Sequence, residues 1–365
     1  MKVVHIINSM ATGGAEKLLT DAIPHLNDKG VHTDLLLLDG SPHPFLQTLT
    51  ATSNYTIYIL SNGRTVYNPL LIFKIIPFLK KYDIAHVHLF PALYFVAIAK
   101  LVSFSTIKLV FTEHSTTNNR RGILFYQWTD KFMYRQYSVL ITISTEVKLF
   151  LKKHLGRTRS TFRTINNGVD VSKFQNAPKA QRNDFNIPEN HTIIIQVARF
   201  TSQKDPATLV RAIPYLEHPA TVIFVGKGDE MEKIKHLVSV LDLEQSVRFL
   251  GIRNDVAALL KMANVAVLSS NHEGLSLSSL EAMASGTPLV ASSVTGLKNL
   301  VHGAGILFDH KDEIDLAEKI NALIKNKKLY AETVAKGTRR VQKFQLKTMV
   351  TSHKALYEEL CPNKN

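Results

Sequence analysis

Short apolar runs recur along the chain with amphipathic stretches between them, and that alternation sets the expected architecture. In the first half the runs are KVVHIIN, HTDLLLLD, YTIYILS, IAHVHL, KLVFTEH, VLITIS and STFRTINNG. Most are rich in Val, Ile and Leu without strict alternation, as strands buried on both faces of a parallel sheet are. Helical segments lie between several of them, for example over Ala15–Lys29 and Pro69–Lys81. After Phe174 the stretch QNAPKAQRNDFNIPENH is polar, carries proline and has no apolar period, which marks a linker. The pattern then restarts with TIIIQVAR, ATVIFVG, VRFLG, VAVLSS and PLVAS, with helices expected over Pro206–Leu216, Asp229–Leu241 and Val256–Met262. From about Asp312 to Leu360 the chain reads as helical and amphipathic. Two doubly wound α/β domains are predicted, facing a shared cleft at the C-terminal edges of their sheets, where such folds bind ligands.

Composition narrows the class. The 365 residues suffice for two ordinary domains, and 45% hydrophobic against 20% charged residues argues against disorder. One cysteine, Cys361, excludes a disulfide framework and a cysteine-based metal site, and fits a reducing, cytoplasmic setting. The N-terminal apolar run is too short for a signal peptide, and ALYFVAIAKLVSF is broken by a lysine and short of a membrane span. A net charge of +14 is concentrated in the first half, where residues 1–175 hold 20 Lys/Arg against 10 Asp/Glu. Between Lys100 and Arg163 there are 12 bases and 3 acids. No nucleic-acid motif accompanies this patch, so nucleic acid is not an expected partner. A solubilising surface and docking to the anionic inner face of the plasma membrane are the two readings.

Candidate chemistry sits at strand ends. In SMATGGAEKLL, Gly13 and Gly14 form a tight turn ahead of a helix, where backbone N–H groups and the helix dipole suit an anion. The spacing is neither G-x-G-x-x-G nor a P-loop, so a nicotinamide reading is weak. His114 ends KLVFTEH, where a neutral imidazole donates to a hydroxyl or phosphate as readily as it serves a structural bond. ARFTSQKDP places Arg199 and Lys204 ahead of a helix opened by Pro206, a pairing suited to a diphosphate. Gly226, Gly228 and Gly251 end two further strands and permit close backbone approach to a planar base. In SSNHEGLSLSSLEAMASGTPLV, a helix is expected from near Ser276 to Gly286, with Glu273 in the loop before it and Glu281 inside it. Eight positions keep these carboxylates apart, against a proton-sharing dyad or a hydrolase pair and in favour of acceptors for hydroxyl groups. The amides of Gly274, Leu275 and Ser276 at the helix start would meet a phosphate.

HEGLSLSSLEAMASGTPLVAS resembles the E-x₇-E segment of the retaining nucleotide-sugar glycosyltransferases of family four, which have the two-Rossmann GT-B fold. GGAE, INNGVDVSKF, ARFTSQKD, VGKGDE and FLGIRNDV occur in that family's order, so the resemblance spans about residues 1–345. It implies a domain over 1–175 for the acceptor, one over 176–345 for the donor, and a helix over 346–365 packing back on the first. It implies that Gly13 and Gly14 approach the donor and that His114 contacts the transferred sugar. Arg199 and Lys204 would bind the diphosphate, Glu273 would hold sugar hydroxyls with the segment Gly274, Leu275, Ser276 and Leu277, and Glu281 would hold the ribose. The base would rest near Gly251 to Arg253, with Gly226 also in the donor site. The implied donor is a nucleoside-diphosphate sugar, foremost a UDP-sugar, with a hexosyl or N-acetylhexosaminyl group passing to a glycan or lipid-linked acceptor in cell-surface polysaccharide synthesis. No Asp-x-Asp occurs, so no metal and no cofactor is expected. Three positions depart from the family pattern: Ser276 and Thr295 stand where glycines are usual, and Asn299 where an acid is. They keep open a non-catalytic nucleotide-sugar binding protein; the other alternative is a nucleotide-sugar epimerase of the same architecture, which would want additional acids in the cleft.

Overall fold

The computed structural model describes residues 1–50, 54–63, 65–115 and 124–362, with the backbone alone at 124 and 125. Arg120 and Arg121, two bases of the Lys100–Arg163 patch, lie outside the described residues. The chain forms two compact units, one of residues 1–168 joined by the segment from Leu346 onward, the other Val169–Gln345.

The first unit is built on strands β1 (Lys2–Ile7), β2 (His32–Leu37), β3 (Ile57–Ile59), β4 (Ile84–His88), β5 (Lys108–Glu113), β6 (Val139–Thr142) and β7 (Thr161–Thr164). They pair in parallel in the order β3-β2-β1-β4-β5-β6-β7. The reversal of order at β1 and β4 is the switch point at which open α/β sheets bind ligands. One face of the sheet, with Val4, Ile6, Leu36, Ala85 and Val87, is packed in a core with residues of the helices Leu71–Lys81 and Ala92–Val102. On the other, Ile7, Leu35 and Leu37 meet Ala15, Leu19 and Ile23 of the helix Gly14–Asp28. The helix Leu346–Leu360 covers this second face too, burying Leu346, Met349, Val350, Leu356 and Tyr357.

The second unit holds β8 (Thr192–Val197), β9 (Ala220–Val225), β10 (Val247–Gly251), β11 (Val265–Leu268), β12 (Leu289–Ser292) and β13 (Ile306–Phe308), in the parallel order β10-β9-β8-β11-β12-β13. Its switch point lies between β8 and β11. β13 is absent from the sequence reading, because three residues between Gly305 and Asp309 carry too little periodicity to stand out.

The boundary between units falls at Gly168–Val169, ahead of the expected 175/176. Val169, Val171 and Phe174 are all buried in the second core, so the residues just before the polar stretch already belong to it. That stretch is not a free linker either. It carries a 3-10 helix over Arg182–Phe185, Ile187 is buried, and the Ala180 N–H donates to the Ala258 carbonyl at 3.2 Å. Polarity and proline misled here, since ends anchored by a few apolar side chains suffice to hold a polar segment down.

Among the described residues no helix is long and apolar enough to cross a membrane.

Candidate active site

Two loops at the C-terminal ends of the adjacent strands β8 and β11 are stitched together in the second unit. The Asn271 N–H donates to the Gln203 carbonyl at 2.7 Å, and the Asn271 side chain donates to the Ser202 carbonyl at 2.6 Å. Gln203 Nε2 returns a bond to the His272 carbonyl at 3.0 Å, and Ser269 Oγ donates to the Asp205 carbonyl at 2.6 Å. Asp205 is left-handed at φ 43°, a conformation uncommon outside glycine, and its carboxylate accepts from Thr208 Oγ1 at 2.7 Å. These bonds fix the backbone that carries Lys204 against the backbone that carries Glu273.

Lys204 and Glu273, 69 positions apart in the chain, form an ion pair through Lys204 Nζ and Glu273 Oε1. The same oxygen accepts from Ser270 Oγ at 2.8 Å. Both side chains are largely withdrawn from solvent, at 16% and 7% exposure, so a neighbouring charge or hydroxyl is felt more strongly than at the surface. Glu273 Oε2 has no protein partner among the described residues, which leaves one carboxylate oxygen to accept from a ligand. The backbone N–H groups of Gly274, Leu275 and Ser276 likewise find no protein acceptor among the described residues. One carboxylate oxygen of Glu273 and the three amides that follow it ahead of the helix over Leu277–Ser285 thus have no protein partner among the described residues.

Ser276 is the N-cap of that helix. Its Oγ accepts from the Ser279 N–H at 3.3 Å, and the helix ends at Gly286 in the left-handed conformation. The position that departs from the family pattern therefore has a local structural duty. Ser276→Ala is expected to cost about 1 kcal/mol and Ser276→Gly only a few tenths, measured by denaturant unfolding; equal losses would show that the cap contributes nothing.

The loop holding Glu273 also depends on Gly296. A Cβ at Gly296 would lie 2.1 Å from the Glu273 carbonyl oxygen, and its φ of 87° disfavours any side chain. Thr295, beside it, accepts the Glu273 N–H at 3.2 Å through its carbonyl, a bond that any residue makes. The departure at Thr295 leaves this contact intact. Gly296→Ala is expected to cost more than about 1 kcal/mol and to displace Glu273. Unchanged stability and unchanged ligand affinity would refute that dependence.

Other expected residues fall as follows. Arg199 is exposed just past β8 and makes no ion pair among the described residues. Glu281 is buried in the second turn of the helix, at 3% exposure. Gly226 and Gly228 are required by the fold itself, because a Cβ on either would strike the backbone of Ala198 or Phe200. Arg253 is tied to Asp255 by two bonds of 2.8 and 2.6 Å, which raises its pKa and lowers that of Asp255. Its guanidinium also lies 5.8 Å from the centre of the Phe185 ring. Asn299 gives its carbonyl to Arg340 at 3.1 Å.

In the first unit, Gly14 opens the helix Gly14–Asp28, with Gly13 as its extended N-cap. His114 is not the isolated histidine that its sequence position suggests. Its Nε2 is 3.1 Å from His88 Nδ1, and His88 Nε2 is 3.0 Å from His5 Nδ1. His5 Nε2 lies 3.3 Å from the Tyr357 hydroxyl, which is 2.6 Å from His86 Nδ1, while His86 Nε2 is 2.6 Å from Thr112 Oγ1. His86 and His88 share a face of β4 by alternation, and the register pairs His5 with His86 and His88 with Thr112. The H-x-H spacing in IAHVHL is the one sign of this cluster in the sequence. Burial, then the neighbouring imidazoles, pushes His86 and His88 well below the usual histidine range; burial takes His5 to about 3 and His114 to about 4. All four are neutral at physiological pH.

Comparison with known proteins follows the division of the chain. The family model for glycosyl transferases group 1 matches residues 178–340, and that for glycosyltransferase family 4 matches residues 12–173. A UDP-Gal:alpha-D-GlcNAc-diphosphoundecaprenol alpha-1,3-galactosyltransferase of Escherichia coli is 29% identical over 305 residues, 78% of this chain and 77% of that protein. An N-acetyl-alpha-D-glucosaminyl L-malate synthase of Bacillus anthracis is 28% identical over 76% of this chain and 75% of its own length. Among solved structures, HepE of Anabaena in complex with UDP and glucose superposes with a TM-score of 0.86 at 23% identity, covering 98% of this chain and all of that one. WaaG, a glycosyltransferase of lipopolysaccharide biosynthesis, gives 0.76 at 14% identity over 97% of this chain and 99% of its own. With both halves matched in order and the paired parallel sheets of the GT-B fold, the chain belongs to family four of the glycosyltransferases, the group 1 glycosyl transferases.

Proposed function

We propose that this glycosyltransferase moves a hexosyl or N-acetylhexosaminyl group from a UDP-sugar to a hydroxyl of a glycan or lipid-linked acceptor, with retention at the anomeric carbon and without a metal. The observation that carries the proposal is the Lys204–Glu273 pair, with Glu273 in one loop with the amides of Gly274, Leu275 and Ser276, which have no protein acceptor among the described residues. As the sugar–phosphate bond breaks, negative charge grows on the departing diphosphate. Lys204, Arg199 and the helix start would stabilise that charge, in place of a divalent cation. Glu273 Oε2 would accept a hydroxyl of the sugar, held in place by Lys204 and Ser270 on its other oxygen. Glu281 would take the ribose, and the segment from Gly251 to Arg253 the base. The E. coli relative, named for a UDP-Gal donor and an alpha-D-GlcNAc-diphosphoundecaprenol acceptor, supports this choice of substrate class, and we extend the reading to a role in cell-surface polysaccharide synthesis. The surplus of bases in residues 1–175 supports docking to an anionic membrane at the cytoplasmic face.

A panel of UDP-sugars, with and without lipid-linked acceptor in anionic and neutral vesicles and with chelator present, tests every part. Acceptor-dependent product of retained configuration is expected, faster on anionic vesicles. A changed donor without acceptor would indicate an epimerase, and binding without product a non-catalytic module. Dependence on added metal would sink the metal-free mechanism, and equal rates on both vesicles the membrane role.

A further inference from the structure

The contacts Thr112–His86–Tyr357–His5–His88–His114 form an unbroken hydrogen-bonded chain across one face of the first unit's sheet. Every internal ring nitrogen is engaged, and each neutral imidazole has one hydrogen to donate and one lone pair to accept. Such a chain has only two self-consistent polarities. Its direction is set by whichever end has fewer choices.

Thr112 is that end. The residue is 3% exposed, and His86 Nε2 at 2.6 Å is the partner of its hydroxyl among the described residues. If His86 donated to Thr112, the threonine hydrogen would be buried without an acceptor, at a cost of about 1–3 kcal/mol. A cavity of about 20 Å³ adjoins the cluster; Thr112, Asn167 and the histidines border it, but the surface it exposes is mostly apolar, with Leu18, Leu19, Leu26, Ile143 and Ile165 among its lining, a poor setting for a water that needs two to four polar partners. Thr112 therefore donates to His86 Nε2. His86 Nδ1–H then donates to Tyr357, Tyr357 to His5 Nε2, His5 Nδ1–H to His88 Nε2, and His88 Nδ1–H to His114 Nε2.

We propose that this one-way chain acts as a positioning device that holds His114 in its Nδ1–H tautomer, so that its open end is a fixed hydrogen-bond donor at the C-terminal edge of β5. The proposal rests on the reading that His114 meets the donor sugar, whose hydroxyl or ring oxygen would accept from Nδ1–H. His88 and His5 touch no substrate in this scheme. They act through His114, and Tyr357 closes the chain from the C-terminal helix.

His5, His86 and His88 bring ring nitrogens within 4.8 Å of one another, a spacing also compatible with a metal ion. Both nitrogens of His86 already face hydroxyl groups, and those of His88 face His5 and His114, so no lone pair is left over for a metal without breaking the chain.

Long-range ¹H–¹⁵N spectra of histidine-labelled full-length protein, recorded after chelation, decide the matter without any activity assay. His114 is expected to show a protonated Nδ1 and a bare Nε2 in the unliganded protein. The conservative Thr112→Val, which removes the leading donor while keeping volume, is expected to convert His114 to a mixture of tautomers. His88→Gln, whose amide can still donate, is expected to retain the Nδ1–H form, and His88→Leu to lose it. A wild-type His114 protonated on Nε2, or one indifferent to Thr112→Val and His88→Leu, overturns the proposal. So does stoichiometric Zn²⁺ uptake that erases the pattern at His5, His86 and His88. If the spectra are as expected but His88→Leu leaves turnover of the UDP-sugar unchanged, the chain stands and the sugar contact of His114 falls.

Discussion

Lys204→Ala is expected to lower turnover by about 10²–10³-fold, the loss typical of removing one preorganised group that meets developing charge. Part of any such loss could come from Glu273, which would stay in its shielded place with only Ser270 Oγ as partner. Breaking one side of a buried pair typically costs about 3–5 kcal/mol, so Lys204→Ala alone conflates chemistry with stability. The double variant Lys204→Met with Glu273→Gln separates them. Neutralising both partners should recover much of the thermal stability and none of the turnover. Arg199→Ala should reduce turnover with stability untouched, because Arg199 is exposed and makes no ion pair among the described residues. Turnover near wild type in Lys204→Ala would remove Lys204 from the mechanism.

Deleting the chain from Leu346 onward is the second large effect. The lost helix buries Leu346, Met349, Val350, Leu356 and Tyr357 against the first unit. At about 1.5–3 kcal/mol each, their removal costs at most about 7–15 kcal/mol, comparable with the whole stability of a domain. Tyr357 also supplies the hydroxyl between His5 and His86, and its loss strands two buried ring nitrogens. The truncated protein is expected to keep the second unit folded and to leave the first open to proteolysis. Two intact cooperative transitions on heating would refute this.

The contrast between what the sequence disclosed and what it hid has a physical basis. Seven runs in the first half and five in the second became strands because burial on both faces leaves a dense signature in Val, Ile and Leu. Ile306–Phe308 escaped because an edge strand of three residues barely needs one. The helix over Leu277–Ser285 was legible to within a residue, since Ser276 and Gly286 are cap residues by chemistry as well as by position. Lys204 and Glu273 could each be singled out at strand ends, yet nothing in a linear reading pairs residues 69 positions apart; adjacency of β8 and β11 does that. Ser276 stands out in the sequence as an oddity of the donor pocket, whereas its contacts are those of a helix cap. The histidine chain stayed hidden for the opposite reason, because its members are dispersed over β1, β4, β5 and a helix more than 240 residues away. Only H-x-H alternation gave any notice of it.

Because the segment from Leu346 rejoins the first unit, the second unit is in effect an insertion within the first. On the ribosome, residues 1–168 emerge first with all seven strands, but one face of their sheet cannot be fully covered until the helix that carries Tyr357 is made, about 190 residues later. At about 5–20 residues per second that is a delay of about 10–40 s. Throughout it, His5, His86 and His88 lack the helix that covers them, while Val169–Gln345 is free to fold. The unit that begins first therefore finishes last, and its uncovered sheet face is what a chaperone would meet during synthesis.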